Sequence, residues 1–159
     1  MVRAIRGAAV LCTAVSVLSF STSLYAEDQS GKQTFATCSA CHLATGEGIP
    51  GAFPPLTKLP DIFEQEGGKQ YLISVVLQGL SGPITSQGNA FSGYMQAFGP
   101  SLSDSEIASV LNYVLTNVAK PSLDDSSPIS ENDVSIVRAK IAQGALAKSH
   151  TLRKALTAP

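Results

Sequence analysis

The sequence is poor in side chains that bind metals. Its 159 residues include three cysteines, two histidines and two methionines. Cys12 and Met1 fall in an N-terminal stretch that reads as a removable leader, which leaves Cys38 and Cys41 as the only thiols. Two thiols cannot form a disulfide framework of the kind exported proteins use. A structural zinc site needs four ligands, and His150 lies far along the chain from Cys38, Cys41 and His42. No alternating apolar–polar run of strand length occurs. The βαβ setting in which Cys-x-x-Cys works as a dithiol redox pair is therefore missing. A basic face is missing as well: residues 27–120 hold eight acids and four bases, a balance that argues against nucleic acid as a partner.

The chain opens Met1-Val2-Arg3-Ala4-Ile5-Arg6, runs apolar from Gly7 to Phe20, and reaches Leu24-Tyr25-Ala26 before Glu27-Asp28. This layout predicts a signal peptide over 1–26, cleaved after Ala26. The alternative is an uncleaved anchor. The apolar run is short for a bilayer span and is broken by Thr13, Ser16 and Ser19. Leu11 stands where a lipoprotein signal at Cys12 would need a small residue. The expectation is export to the periplasm, with no membrane span in the mature chain.

What the chain does contain is Cys38-Ser39-Ala40-Cys41-His42. Cys-x-x-Cys-His is the attachment signature of a c-type haem. Thiols three positions apart share a helix face, one for each vinyl group. The next residue, His42, is carried under the iron as proximal ligand.

Residues 29–41 read as a helix delivering the cysteines, with Gly31 and Phe35 on one face. A Gly/Pro-rich loop follows from Gly46 to Pro60, then a second helix over 68–79 stopped by Gly79. Residues 80–102 read as a long polar loop, and a loop of that length is usually functional. Ser103 and Glu106 make a capping box for a third helix with Ile107, Val110, Leu111, Val114 and Val118 on one face. The pattern thus predicts an all-α body over 27–120, with three main helices and long loops around one covalently bound haem. Residues 121–130 read as a linker, and 131–159 as a basic, partly helical extension. Ser130 and Asp133 cap a helix carrying Val134, Val137 and Ile141, and the end from His150 is expected to fray.

After removal of the leader one methionine remains, Met95, in the long loop. A thioether sulfur suits the distal position and raises the reduction potential. The alternatives are His150 as ligand and an open distal site. A hydrogen bond from its other ring nitrogen should orient His42. Pro54 is a possible carbonyl source, although Pro54-Pro55 could equally serve only to stiffen the loop.

These residues together resemble a class I cytochrome c: Gly31 and Phe35, the Cys38-to-His42 motif, Pro54 and Leu56, the Met95 loop, and the capped helix with Ile107 and Tyr113. The resemblance covers about 27–120. It implies that Pro54 gives its carbonyl to His42, and that Gly31 and Tyr113 lie where the first and last helices cross. The stretches Gly46–Leu56 and Leu77–Ile84 resemble small periplasmic cytochromes, or cytochrome domains, that accompany dehydrogenases and copper nitrite reductases. The Val134–Arg138 segment resembles a tail motif found there. One departure is Gln96, where the family often has proline after the ligand methionine.

The function implied is a monomeric periplasmic single-electron carrier with haem c iron held by His42 and Met95, not an enzyme. Electrons would come from a dehydrogenase or quinol-oxidising donor and pass to an oxidase or reductase. One alternative is a haem subunit held in a larger oxidoreductase complex. Another is a ligand-binding or peroxidatic haem protein, which would want a distal His or Arg that residues 80–102 lack. The extension carries Arg138, Lys140, Lys148, Arg153 and Lys154, with no acid after Arg138. It reads either as a solvated tail or as a docking segment for an acidic partner, and its removal is expected to leave the haem site alone.

Overall fold

A computed structural model of the chain describes residues 22–123 and 129–157, with side chains from residue 29 onward. Residues 1–21, most of the expected leader, and 124–128, the middle of the expected linker, lie outside the described residues.

Helix α1 (Thr22–His42) begins ahead of residue 29, where the sequence pattern starts it. It crosses α4 (Asp104–Tyr113) at Gly31, where any Cβ would strike the Ser109 carbonyl and the Tyr113 Cβ. The missing side chain therefore sets how closely the two helices approach. One turn on, the Phe35 and Tyr113 rings pack with centroids 5.5 Å apart.

The capping box at the start of α4 is formed in full. The Ser103 hydroxyl accepts from the Glu106 backbone N–H, and the Glu106 carboxylate accepts from the Ser103 N–H at 2.8 Å. Helix α4 continues as a π-helical stretch, Val114–Val118, closed by the Ala119 N–H to the Val114 carbonyl at 2.8 Å. Helix α2 (Leu59–Phe63) is short, and α3 (Gly68–Gln78) stops at Gly79, whose φ of 75° and ψ of −177° form an extended positive-φ conformation open essentially to glycine alone.

The fold is predominantly helical, but it is not the three-helix, all-α body expected from the sequence. Besides α1, α3 and α4, the described residues form α2, the π stretch, α5 (Glu131–Ala142) and α6 (Ser149–Arg153). The long loop contains two short antiparallel pairs. Strand β1 (Leu80–Ser81) pairs with β4 (Tyr94–Met95), and β2 (Ile84–Ser86) pairs with β3 (Asn89–Phe91). Gln87 and Gly88 connect β2 to β3 with φ of 49° and 74°, the mirror-image turn geometry that suits a two-residue hairpin. Strands of two or three residues are too short to show alternation, so the sequence pattern misses them.

The extension is not a free tail. Ile129, Val134 and Val137 are buried in the main core with Leu72, Ile73, Leu77, Ile107, Leu111 and Leu115 from α3, α4 and the π stretch. Asn112, buried on α4, grips residue 129 from both sides. Its Nδ2 donates to the Ile129 carbonyl at 2.8 Å, and its Oδ1 accepts from the Ile129 N–H at 3.1 Å. The described part of the end, up to residue 157, is not frayed: Ser149–Arg153 forms α6, and Arg153 is buried.

Candidate functional site

The last turn of α1 carries Cys38, Cys41 and His42. Cys38 is half-buried and its thiol is pushed up by burial, whereas Cys41 is exposed. His42 is 8% exposed. Its Nδ1–H donates to the Pro54 carbonyl at 2.8 Å.

The loop from Gly46 to Leu56 is built to present that carbonyl. The Gly48 N–H bonds the His42 carbonyl at 2.9 Å, and Leu56 N–H bonds the Gly46 carbonyl at 2.7 Å. Ile49 and Phe53 bridge each other through two bonds of 2.8 Å. Gly48 lies in the left-handed region, and a Cβ there would strike the Phe53 and Pro54 carbonyls. Burial pushes the His42 ring below its ordinary value, and the Pro54 carbonyl opposes that shift. In the neutral ring with Nδ1 protonated, Nε2 keeps its lone pair, as metal binding requires.

Met95 sits on β4 opposite Leu80 of β1. The chain after it is stitched to α3 by Phe98 N–H to the Val76 carbonyl at 2.9 Å and Gly99 N–H to the Leu77 carbonyl at 3.1 Å. Gly79 permits the close approach, since a Cβ there would strike the Met95 carbonyl. The structure thus brings His42, Cys38 and Met95 to the walls of two adjoining cavities, of about 120 and 410 Å³. Both cavities are also lined by Pro54, Leu80, Ile84 and Phe98; Cys41 lines the larger one. His150, the rival ligand, is not among the lining residues. Its Nε2–H donates to the Pro83 carbonyl at 3.0 Å on the outer side of the β1–β2 turn.

Three further side chains bear on this site. Arg138 of α5 donates to the Asp104 carboxylate at 2.6 Å and to the Gly99 and Leu102 carbonyls at 2.7 and 3.0 Å. It ties the end of the Met95 segment to the start of α4. Tyr71 of α3 and Arg153 of α6 line the smaller cavity. Apart from the Val134–Arg138 resemblance, no local signal marked any of the three. Each acts across more than thirty residues of chain, a separation that periodicity and capping rules do not reach.

Two thiols on one helix face, a neutral imidazole beside them, a thioether on the same cavity walls and apolar surroundings make a donor set that suits a tethered haem. This is the chemistry of a covalent haem carrier. The comparison with known proteins agrees: residues 29–117 match the cytochrome c family, and the chain belongs to it as a class I cytochrome c. It carries the covalent c-type haem and iron of that family.

Two curated relatives are similar over 87 residues at 47% identity, both named cytochrome c-552 and both from Thermus thermophilus. The similar stretch is 54% of this chain, and it spans 66% of the first relative's length and 58% of the second's. No described helix is long and apolar enough to cross a membrane.

Proposed function

We propose that the chain is an exported, monomeric single-electron carrier of the periplasm, in which His42 and Met95 bind the iron from opposite sides. The observation that carries this reading is the convergence of His42 and Met95 on the same two cavities beside Cys38. The bound haem supplies a one-electron iron couple. Cys38 and Cys41 tether the group. Pro54 fixes the His42 tautomer, so that Nε2 would be free to hold the metal. The β1–β4 pair and the bonds to α3 hold the Met95 segment in place, and a thioether held there would bind the iron and leave no room for substrate. A site whose ligands stay in place through a redox change suits transfer rather than catalysis.

Exchange partners are a dehydrogenase or quinol-oxidising donor and an oxidase or reductase acceptor, met through small transient interfaces. Tyr94 is 74% exposed beside Met95 and marks the accessible side of the larger cavity.

Optical spectra of the purified exported protein in both redox states, with a potentiometric titration, test this reading. Wild type is expected to give low-spin spectra with a thioether–ferric band. Met95→Ala is expected to lose that band, bind cyanide or carbon monoxide readily and show a lower potential. An unchanged ferric spectrum and potential in Met95→Ala would remove Met95 as ligand.

A further inference from the structure

Among the described residues, Arg153 stands out as a buried cation. It belongs to the extension, outside the 29–117 stretch that matches the family, yet only 8% of it is exposed. Its Nη2 donates to the Thr85 carbonyl at 2.9 Å and its Nη1 to the Leu156 carbonyl at 3.2 Å. Its guanidinium carbon lies 6.0 Å from the Tyr71 ring centroid. These partners are neutral and use two of the five N–H donors. Among the described residues the ion pairs are Lys69–Asp133 and Arg138–Asp104, and no described carboxylate pairs with Arg153. A buried cation without a counter-charge is strongly unfavourable. This one lines the smaller cavity together with Ile62, Leu72 and Val75, which are apolar.

Tyr71 lines the same cavity, and burial pushes its phenol up to about 12 against the opposing charge of Arg153. It therefore stays a neutral donor at all ordinary pH. The other charged side chain on that cavity wall is Lys58. His150 and Lys154 flank Arg153 on the outer side.

We propose that Arg153, with Tyr71, forms the binding subsite for a carboxylate of the haem, one of its propionates, so that the C-terminal extension completes the cofactor site. A planar guanidinium with unspent donors matches a carboxylate bidentately. The carboxylate supplies a counter-charge for Arg153, and the haem assigned to this cavity carries such carboxylates. The subsite rests on the haem assignment, not on Met95 ligation or on the carrier role.

The test uses exported holoprotein in a His150→Gln background, which removes the imidazole that lines the same surface pocket as Arg153. Haem labelled with carbon-13 at the propionate carboxyls is followed by NMR against pH. One carboxyl is expected to stay ionised well below the ordinary carboxylate range. Two carboxyls titrating in the ordinary range would overturn the subsite without any variant at Arg153.

In Arg153→Gln the protected carboxyl is expected to titrate upward into the ordinary range. The midpoint potential should then fall as pH rises through that range, because an unpaired anion beside the iron favours the ferric form. Arg153→Lys should restore most of the protection, and Lys58→Gln should not disturb it. A potential that is flat with pH and equal to wild type in Arg153→Gln would also overturn the proposal. Failure of Met95 ligation appears separately, as loss of the thioether–ferric band in wild type.

Discussion

Arg138 and Asp104 meet at 2.6 Å across 34 residues of chain, joining the extension to the first turn of α4. The same guanidinium holds the Gly99 and Leu102 carbonyls, so one side chain fastens α5, α4 and the segment that follows Met95. The Arg138 and Asp104 side chains are 36% and 21% exposed, which leaves the pair partly shielded from solvent.

Arg138→Ala should therefore cost about 2 kcal/mol of folding stability, from charge-assisted bonds lost and carbonyls left unpaired. It should also loosen the Met95 segment. Chemical unfolding checks the first effect, and a faster rise of cyanide binding to ferric protein checks the second. Unchanged cyanide kinetics would confine Arg138 to a stabilising role.

Deleting residues 121–159 should be severely destabilising. It removes Ile129, Val134 and Val137 from the main core and leaves Asn112 without its two bonds to residue 129. Full burial of each such aliphatic side chain contributes about 2 kcal/mol, and domains have only about 5–15 kcal/mol in hand. Thermal unfolding of the holoprotein measures this. An unchanged midpoint would mean that the extension is dispensable to the body. Arg138 and Arg153 are turned inward, so any docking charge on the extension rests on Lys140, Lys148 and Lys154, which are exposed.

The cap of α5 gives a pH dependence with a definite sign. The Ser130 N–H and hydroxyl, and more weakly Lys69, hold the Asp133 carboxyl below its usual 3.8. A depressed carboxyl contributes stability that is present above its unfolded value and lost as pH falls through the folded one. Wild type should thus be more stable than Asp133→Asn by a constant margin above about pH 5, and the margin should shrink below about pH 4. Melting curves of the two proteins against pH read this directly; a margin independent of pH would mean that the carboxylate charge is not what caps α5.

Cys38→Ala with Cys41→Ala should abolish covalent haem in exported protein, assayed by haem staining after denaturing electrophoresis. Wild-type yield of covalent haem in the double variant would end the thioether assignment.

Much was legible in the residues because it is local. Spacing alone placed Cys38, Cys41 and His42 together, since two thiols and an imidazole within one helical turn need no distant partner. Ser103 with Glu106, and Ser130 with Asp133, announced helix starts that the structure forms as capping boxes. Gly79 announced the end of α3. The short strands of the Met95 segment were not legible, because two or three residues carry no periodicity.

What only the tertiary structure decided is how the separate segments meet. The His42–Pro54 bond depends on Gly48 allowing the loop to fold back on itself. The extension looked like a basic tail because charge counts cannot tell an outward arginine from an inward one. Ile129, Val134 and Val137 join the core built by α3 and α4, and the same extension brings Arg153 to the cavity wall. The approach of Arg153 to the Tyr71 ring joins residues far apart in the chain, and such a contact exists only once the hydrophobic core has closed.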